Sequence, residues 1–363
     1  MNSWKERLTA YYEKHELKAD IGFFLGGFLV DVFTLADIDD PFSIAQQVIY
    51  LTLVGAILHY DFLQARGLLK IPERWSRAWN FRHLALHFLL GSLLSIYSLF
   101  FLKSSSFFSS IGFVLILMGL MIANEMKSMQ KHADIKIGLY VICVFSFFSM
   151  LFPVLLGFVG RLPFTLSVAT TLLMIYGAYR LLLRRIHDAP SLRRHLVAPG
   201  GAVMGLFLLF YLIGWIPPVP LSVQNMGIYH HIEKIDGNYV LSHEKPSWKF
   251  WQNGDQDFYA EPGDKIYFFA RIFSPGRFDD SVILHWSYKD PRAGWKSTDR
   301  VAMRVTGGRR NGYRGFSVKQ NYAPGSWRVS VETTDAREIG RLYFNVIPVP
   351  EADPQRRFEE SIQ

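Results

Sequence analysis

The sequence predicts a polytopic α-helical membrane domain followed by an all-β, sandwich-like C-terminal domain. Seven apolar stretches occupy roughly the first 218 residues, and basic residues concentrate on alternate connections between them. Downstream of Pro217 the apolar residues recur with a period of two, which is typical of strands. Of the 363 residues, 50% are hydrophobic, 15% are aromatic and only 19% are charged, a balance typical of a membrane protein.

The predicted membrane domain spans residues 21–218 and crosses the bilayer seven times, because each apolar stretch approaches the roughly 17 to 25 residues that a membrane helix needs. The candidate spans are 21–37, 43–60, 84–102, 107–124, 135–157, 163–183 and 201–217. Connections after the even-numbered spans are long and basic, whereas those after the odd-numbered spans are short. Since lysine and arginine collect on the cytoplasmic side, we expect the N-terminus inside and the last span leading outward.

The segment before the first span, residues 1–20, is predicted to lie on the inner membrane surface. It places Trp4, Leu8 and Tyr11 at helical spacing among basic residues. The first span is not interpreted as a cleavable signal, because about 20 residues precede it and no small-residue cleavage pattern follows. In the first inner loop, Trp75 and Trp79 lie among arginines and are predicted to anchor at the interface.

The formal net charge of +8 comes largely from the inside connections. We therefore interpret it as a signature of topology, and we expect no nucleic-acid partner. The single cysteine, Cys143, lies in the fifth span, so the exported part has no disulfide framework. No phosphate loop, dinucleotide fingerprint or catalytic motif is recognised, and no cofactor is predicted.

Prolines at 217, 218 and 220 end the helical pattern, and residues 219–348 are predicted to form a periplasmic antiparallel β-sandwich. The predicted strands are Leu221–Tyr229, Tyr239–Ser242, Lys265–Phe273, Ser281–Lys289, Arg300–Val305, Tyr313–Lys319, Ser326–Thr333 and Arg341–Val346. Alternation assigns two tryptophans, Trp286 and Trp327, to the core. The charged segment 349–363 is predicted to be a flexible tail.

The C-terminal half carries an ordered set of motifs, which are Gly227–His230, His285–Trp286, Tyr313–Gln320 (YRGFSVKQ) and Gly325–Val331 (GSWRVSV). In their order and spacing they resemble the bacterial domain of unknown function family 2914, over about Leu221–Val346. The membrane half, with Gly26, Gly27, Phe28 and Asp31 before Ile38–Asp40, resembles the multi-helix region that accompanies this domain. The resemblance implies no activity, substrate or catalytic residue.

Two polar groups stand out within the spans. Asp31 is predicted to share a site near the outer mouth with Thr34, Gln46 and Gln47, because a carboxylate inside a bilayer needs a partner or a polar cavity. The alternative is that Asp31 packs helices through hydrogen bonds, next to small glycines.

The second polar group lies toward the inner side, where the third and fourth predicted spans bring His87, Asn124 and Glu125 to one end of a helical hairpin. A histidine and a glutamate together suit acid–base chemistry or proton relay. The alternative is that these side chains reach headgroups and water.

In the β-domain, a row of aromatic and basic residues is predicted on the strand faces opposite the core, comprising Tyr267, Phe269, Arg271, His285 and Arg328. Aromatic rings stack on sugars and guanidinium groups pair with anions, so this row is a candidate binding surface. The competing use is docking onto the helices or another protein. Adjacent histidines at 230 and 231, followed by His243, do not predict a metal site, because neighbouring strand residues face opposite ways.

These observations leave two functional classes open for a multi-pass protein of a bacterial inner membrane. In the first, the periplasmic sandwich binds or senses a glycan, another anionic envelope component or a partner protein. In the second, an integral membrane enzyme or transporter acts on a lipid-linked substrate near Asp31. Against transport, the sequence has no repeated halves or paired broken helices.

Overall fold

The computed structural model describes residues 38–69, 72–73, 79, 82–106, 111–125, 133–307, 312–351 and 353–363. The chain divides into two compact units. A helical unit ends at Ile216, and a β unit holds Pro217–Gln363 together with residues of two connections between helices. The predicted surface segment 1–20, the first predicted span 21–37 and Trp75 lie outside the described residues.

The described part of the helical unit contains six helices, which are α1 (Pro41–Ala65), α2 (Arg82–Lys103), α3 (Ile111–Glu125), α4 (Ala133–Leu156), α5 (Arg161–Ile186) and α6 (Ala189–Leu212). Five of them are long and apolar enough to cross a membrane, namely all except α3. Helix α3 is described over 15 residues. The described residues therefore support five candidate spans and do not support the predicted number of seven.

Short polar residues determine where two of these helices begin. The Asp40 carboxylate accepts a hydrogen bond from Ser43 N at 2.8 Å, and Pro41 follows in the first turn of α1. Asp188 caps α6 in the same way, accepting from Ser191 N at 3.1 Å. A π-helical turn interrupts α6 at Arg193–Val197.

The described part of the β unit contains eleven strands, which are β1 (Ser222–Tyr229), β2 (His231–Ile235), β3 (Asn238–His243), β4 (Asp257–Ala260), β5 (Ile266–Phe273), β6 (Asp279–Asp290), β7 (Gly294–Thr306), β8 (Tyr313–Lys319), β9 (Gly325–Thr333), β10 (Glu338–Pro348) and β11 (Glu359–Ile362). They form three sheets with the strand orders β1-β5-β8, β4-β10-β9-β6-β7 and β11-β3-β2. All eight predicted strands are present, and β2, β4 and β11 are additional.

The main core lies between the three-stranded β1-β5-β8 sheet and the five-stranded sheet. Buried side chains of both sheets belong to one cluster, with Phe268 from β5, Trp286 from β6 and Trp327 from β9. This is the packing of a sandwich, in which alternate residues of each strand point inward. One feature differs from the antiparallel prediction: β4 pairs with β10 in parallel, which a hairpin-based reading of the sequence does not anticipate.

The third sheet corrects the prediction of a flexible tail at 349–363. Glu359–Ile362 pair with β3 through four antiparallel residue pairs, from Glu359 opposite His243 to Ile362 opposite Val240. Gln363 continues the ladder through two backbone hydrogen bonds with Tyr239, each 2.9 Å. Backbone pairing needs no apolar side chains, so a charged segment can form a strand that the hydrophobic pattern of the sequence does not indicate.

Two connections between helices contribute contacts within the β unit. Gly157 O accepts a hydrogen bond from Asp279 N at 2.8 Å, and Val159 N donates to the Asp280 carboxylate at 3.3 Å. Ser106 Oγ donates to the Glu338 carboxylate. Both connections are among those that the charge pattern assigns to the outer side of the membrane.

Candidate binding surfaces of the β unit

The predicted row of surface residues is divided between two sheets, and its β5 part is covered. The Phe269 side chain has no exposed area and packs with Tyr229, Ile232 and Leu241. Arg271 donates from Nη1 to Gln363 Oε1 at 3.1 Å. The assignment of Phe269 to a ligand-binding face is corrected, because the third sheet packs over its ring, whereas Tyr267 and Arg271 beside it are half-buried.

His285 and Arg328 lie on the outer face of the five-stranded sheet, which is the side opposite the Trp286 core. His285 is paired with Ser330, and Arg328 with Ser287, so alternation places both side chains on this face. Of the predicted row, His285 and Arg328 therefore share one surface, and the β5 residues do not belong to it.

An aromatic and guanidinium group occupies one end of this outer face, and we call Trp295, Arg328, Arg341 and Tyr343 the Trp295 group. The Arg328 guanidinium lies over the Trp295 ring at 4.8 Å from its centroid, and the Trp295 and Tyr343 rings are 5.5 Å apart. Arg341 Nη1 donates to the Tyr343 hydroxyl at 3.1 Å. Among the described residues, Arg328 Nε has no hydrogen-bond partner. A buried, unsatisfied donor thus lies beside two rings.

His285 belongs to a second, satisfied chain on the same face. Its Nδ1 lies 2.7 Å from Glu332 Oε1, and its Nε2 lies 2.8 Å from Ser297 Oγ. The order hydroxyl, imidazole, carboxylate is that of a serine nucleophile with its base. However, Arg300 Nη2 lies 3.1 Å from Glu332 and balances the charge that would stabilise an imidazolium. We interpret these hydrogen bonds of His285 as a network that positions side chains.

A third feature, which the sequence analysis missed, is a cluster of charged side chains centred on the C-terminal segment. We call it the Arg356 cluster, and its members are Arg356, His230, Glu244, Asp255, Glu261 and Asp264. The Arg356 side chain is only 10% exposed and lies 2.6 Å from Glu244, 2.8 Å from Asp264 and 3.5 Å from Glu261. It also donates from Nη2 to Tyr259 O at 2.6 Å. One guanidinium therefore joins three carboxylates.

His230 and Asp255 lie inside this cluster, and their pKa values are shifted in opposite directions. His230 stacks on Phe258 with the ring centroids 4.0 Å apart, and burial, with a contribution from Arg356, lowers the pKa of His230 to about 4. Burial raises the pKa of Asp255 to about 7, although both its carboxylate oxygens accept from Glu244 N at 3.1 Å. The neutral forms of both groups are favoured by desolvation.

The Arg356 cluster closes the base of a loop with exposed aromatic residues. Glu244 and Asp255 flank this loop, and the hydrogen bonds between them join its two ends. Between them lie Trp248, Phe250 and Trp251, which are 65%, 84% and 59% exposed. The sequence marks this loop by the aromatic run WKFW at Trp248–Trp251. A search for alternating apolar residues does not detect it, because the segment has no alternation.

Among the described residues, no group of three or more His, Cys, Asp or Glu side chains is arranged to hold a metal ion. His230 lies in the Arg356 cluster, whereas His231 contacts the Tyr267 ring at 5.7 Å on the other side of the chain. The carboxylates around His230 bind a guanidinium instead.

The predicted intramembrane groups are described only in part. Asp31 and Thr34 lie outside the described residues. Gln46 Nε2 donates to the Tyr50 hydroxyl at 3.1 Å, and Gln47 is buried. His87 is half-buried in α2, while Asn124 and Glu125 end α3 with side chains outside the description. Both groups stay predictions.

Comparison with known proteins identifies the C-terminal region. Residues 279–346, which run from β6 to β10, match the model of the family described as "Protein of unknown function (DUF2914)". Residues 279–346 are therefore similar to the DUF2914 family. The resemblance noted in the sequence is thereby confirmed for this region, and the match does not extend to the membrane region. No curated protein matches the chain.

Solved structures show only low overall similarity. An immunoglobulin-like protein from Pseudomonas aeruginosa is 14% identical with a TM-score of 0.21, covering 35% of this chain and 97% of that chain. A β-glucosidase from Listeria innocua in complex with glucose is 9% identical with a TM-score of 0.20, covering 33% and 17%. An alkylpurine DNA glycosylase from Pseudomonas fluorescens is 11% identical with a TM-score of 0.23, covering 86% and 99%.

Arg356→Ala should destabilise the β unit by about 3 kcal/mol, because it leaves three carboxylates close together without their cation. The estimate is at the low end for a buried pair, since the carboxylates are partly exposed. The midpoint of chemical unfolding of the full chain in detergent, followed by circular dichroism of the sheet signal, measures the loss. Arg357→Ala, which removes an exposed neighbouring guanidinium, should change stability by no more than about 0.5 kcal/mol. Equal effects of the two changes would contradict this role of Arg356.

The pH dependence of stability should separate His230 from Asp255. The His230 pKa is lowered from 6.5 to about 4 on folding, so its contribution is lost as the pH falls through that window. The Asp255 pKa is raised from 3.8 to about 7, so its contribution grows as the pH falls. Relative to the wild type, Asp255→Asn should lose stability between about pH 7 and pH 4.5, and His230→Gln should gain it. If stability varied with pH in the same way in the wild type and in both variants, the roles assigned to His230 and Asp255 would be contradicted.

Proposed function

We propose that the chain is a multi-pass protein of a bacterial inner membrane, with its N-terminus in the cytoplasm and its β unit in the periplasm. Five helices in the described residues are long and apolar enough to span a membrane. The alternation of basic and non-basic connections supports the orientation. Contacts of Gly157 and Val159 with β6 residues support it as well, because connections of the outer side then share a unit with the sandwich.

The function that the geometry supports best is binding of an anionic envelope ligand by the β unit, with an acidic glycan as the favoured class. The observation that carries this proposal is the Arg328 guanidinium over Trp295, with its Nε free of hydrogen-bond partners in the described part of the chain. Leaving the buried Arg328 Nε without an acceptor costs free energy, and the oxygen of an anionic ligand would satisfy it.

The neighbouring groups supply the rest of a sugar-binding surface. The Trp295 and Tyr343 rings, inclined at 56° to each other, offer faces for the apolar side of a sugar ring. Arg341 is held by Glu338 and by the Tyr343 hydroxyl, so it fixes the orientation of that ring. In this proposal the helical unit anchors the domain or relays its bound state.

The alternative function, an enzyme or transporter acting near Asp31, rests on residues outside the described part of the chain. No contact observed for Gln46 or Gln47 favours it over a structural role.

Reporter fusions test the topology. Alkaline phosphatase fused after residue 105, residue 159 or Gln363 should be active, because these positions are proposed to be periplasmic. Fusions after Leu68 or His187 should be inactive, and a cytoplasmic fluorescent reporter should show the reverse pattern. An active phosphatase after Leu68 or His187, or an inactive one after Gln363, would contradict the proposed orientation.

Titration with acidic sugars tests the binding surface. Muropeptides containing N-acetylmuramic acid and lipopolysaccharide core oligosaccharides serve as probes against the purified full chain. For a probe that binds, Trp295→Ala and Arg328→Ala should each weaken affinity about tenfold, which is about 1.4 kcal/mol. The reason is that each change removes either the stacking ring or the pairing guanidinium.

Lys234→Ala is the matched control, because it removes an exposed positive charge from β2 in the third sheet. It should leave affinity within about twofold of the wild type. Binding that weakens equally in all three variants would show a general charge effect. Absence of binding by every probe, or binding unaffected at Trp295 and Arg328, would contradict an acidic-glycan surface on the outer face.

A further inference from the structure

A cavity of about 320 Å³ with a charged lining lies between α1, α4 and α6. Arg66 follows directly after α1, Lys136 lies in the first turn of α4, and His195 lies in the π-helical turn of α6. Asp61 of α1 also lines this cavity. All of these residues belong to the helical unit, so the cavity is formed within that unit alone. Charged side chains between membrane helices mark functional sites, which makes this cavity a candidate binding site.

Both carboxylates at this cavity have partners. Arg82 Nε donates to Asp61 Oδ1 at 2.7 Å. His195 Nδ1 lies 2.8 Å from Asp134 Oδ1. The negative charge of the lining is therefore already engaged by side chains of the helical unit.

Arg66 and Lys136 add positive charge to these pairs. Arg66 donates from Nη2 to Ser191 Oγ at 2.6 Å, and its guanidinium lies 5.0 Å from the centroid of the Phe62 ring, so it is held at the cavity. Among the described residues, three Lys or Arg side chains thus accompany two carboxylates there, an excess of one positive charge before His195 is counted. This excess favours an anionic ligand.

A second, larger cavity of about 610 Å³ lies between α1, α4 and α5 and is apolar. Its lining consists mainly of aliphatic and aromatic side chains, among them Leu51, Val144, Phe148 and Met174. Its described lining residues include no Asp, Glu, Lys or Arg. A hydrocarbon chain is the kind of group that such a lining accommodates, because it leaves no polar atom without a partner.

The two cavities lie along the same sides of α1 and α4. Residues three or four positions apart share one side of a helix. On α1, the residues at this spacing that line one cavity or the other are Leu51, Gly55, Leu58 and Phe62. On α4, they are Lys136, Tyr140 and Val144. One groove between α1 and α4 therefore has a charged end and an apolar length.

The length of this groove matches one leaflet of a bilayer. From Leu51 to Arg66 the chain advances 15 residues, which is about 22 Å of helix. Half of a bilayer with its headgroups is about 20 to 22 Å thick. In the proposed orientation the charged end lies at the inner surface, because it adjoins the basic connections after α1 and α5.

We propose that this groove binds an anionic phospholipid of the inner leaflet, with its phosphate beside Arg66 and Lys136 and an acyl chain in the apolar cavity. A soluble anion would leave the apolar cavity unfilled, and a zwitterionic lipid would bring its own ammonium group toward the two cations. Basic pockets between membrane helices on the cytoplasmic side bind anionic headgroups in this way.

This proposal rests on the membrane location proposed above. Only the choice of leaflet depends on the orientation, which the reporter fusions test separately. Glycan binding at the Trp295 group involves the β unit, so failure of that function and failure of lipid binding are distinguishable.

Native mass spectrometry of the full chain tests the lipid class. The protein is released from a nonionic detergent after titration with phosphatidylglycerol or phosphatidylcholine, and the bound fraction gives a Kd for each lipid. Phosphatidylglycerol should bind at least about tenfold more tightly, because it carries the phosphate without a neighbouring ammonium group. Equal Kd values for the two lipids would overturn the proposal. Displacement by glycerol phosphate, which has no acyl chain, at the same concentration as phosphatidylglycerol would overturn it in favour of a soluble anion.

Charge variants locate the headgroup. Arg66→Ala and Lys136→Ala should each weaken phosphatidylglycerol binding about tenfold, because each removes a charged partner of the phosphate. Lys136→Ala decides the matter if Arg66→Ala, which also loses the contact with Ser191, fails to fold. Arg184→Ala is the matched control, since it removes an exposed guanidinium from the last turn of α5 that does not line the cavity. It should change the Kd by no more than about twofold.

A steric variant tests the acyl-chain part of the groove without changing its charge. Ala178→Trp adds an indole to the lining of the apolar cavity and should weaken phosphatidylglycerol binding about tenfold. Leu173→Trp is its control on the same helix, because Leu173 is 68% exposed and does not line the cavity. Equal Kd values for Arg66→Ala, Lys136→Ala and Arg184→Ala, or for the two tryptophan variants, would overturn the proposed site.

Discussion

One interaction, the insertion of the Arg356 guanidinium among Glu244, Glu261 and Asp264, joins the C-terminal segment, the third sheet and the aromatic loop of the β unit. Glu244 follows β3, whereas Glu261 and Asp264 share the turn between β4 and β5. In the absence of a cation the three carboxylates would repel one another at short range. Arg356 brings them together and at the same time positions β11 beside β3. A segment rich in charged residues thereby becomes part of the fold.

The same interaction determines which surfaces are open to ligands. The third sheet, completed by β11, packs over Phe269 and leaves the outer face of the five-stranded sheet as the open aromatic and basic surface. At its other side the cluster closes the base of the aromatic loop through Asp255 and Glu244. Because the pKa of His230 falls and that of Asp255 rises, their effects on stability oppose each other between about pH 4 and pH 6.5.

Much of the sandwich could be predicted from the sequence, because alternation reports which side of a strand is buried. Trp286 and Trp327 were assigned to the core on that basis, and both are buried. Alternation fails for β5, since two sheets flank it and Phe269 is buried on the side expected to be open. Strands β4 and β11 have four residues each, too few for a period to be recognised. Arg328 was found by its strand position, whereas Trp295 was missed because β7 begins six residues before the predicted strand.

Contacts between distant parts of the chain explain why the Arg356 cluster could not be predicted. Arg356 and His230 are 126 positions apart, and no local pattern joins them. The most direct test of the cluster's role is hydrogen–deuterium exchange of the full chain with Arg356→Ala, compared with Arg357→Ala. We expect Arg356→Ala to accelerate exchange together at Glu359–Ile362 and in the loop between Glu244 and Asp255, while the sheet β9-β6-β7 keeps its protection. Faster exchange confined to Glu359–Ile362, with the loop unchanged, would contradict the claim that one cluster holds both.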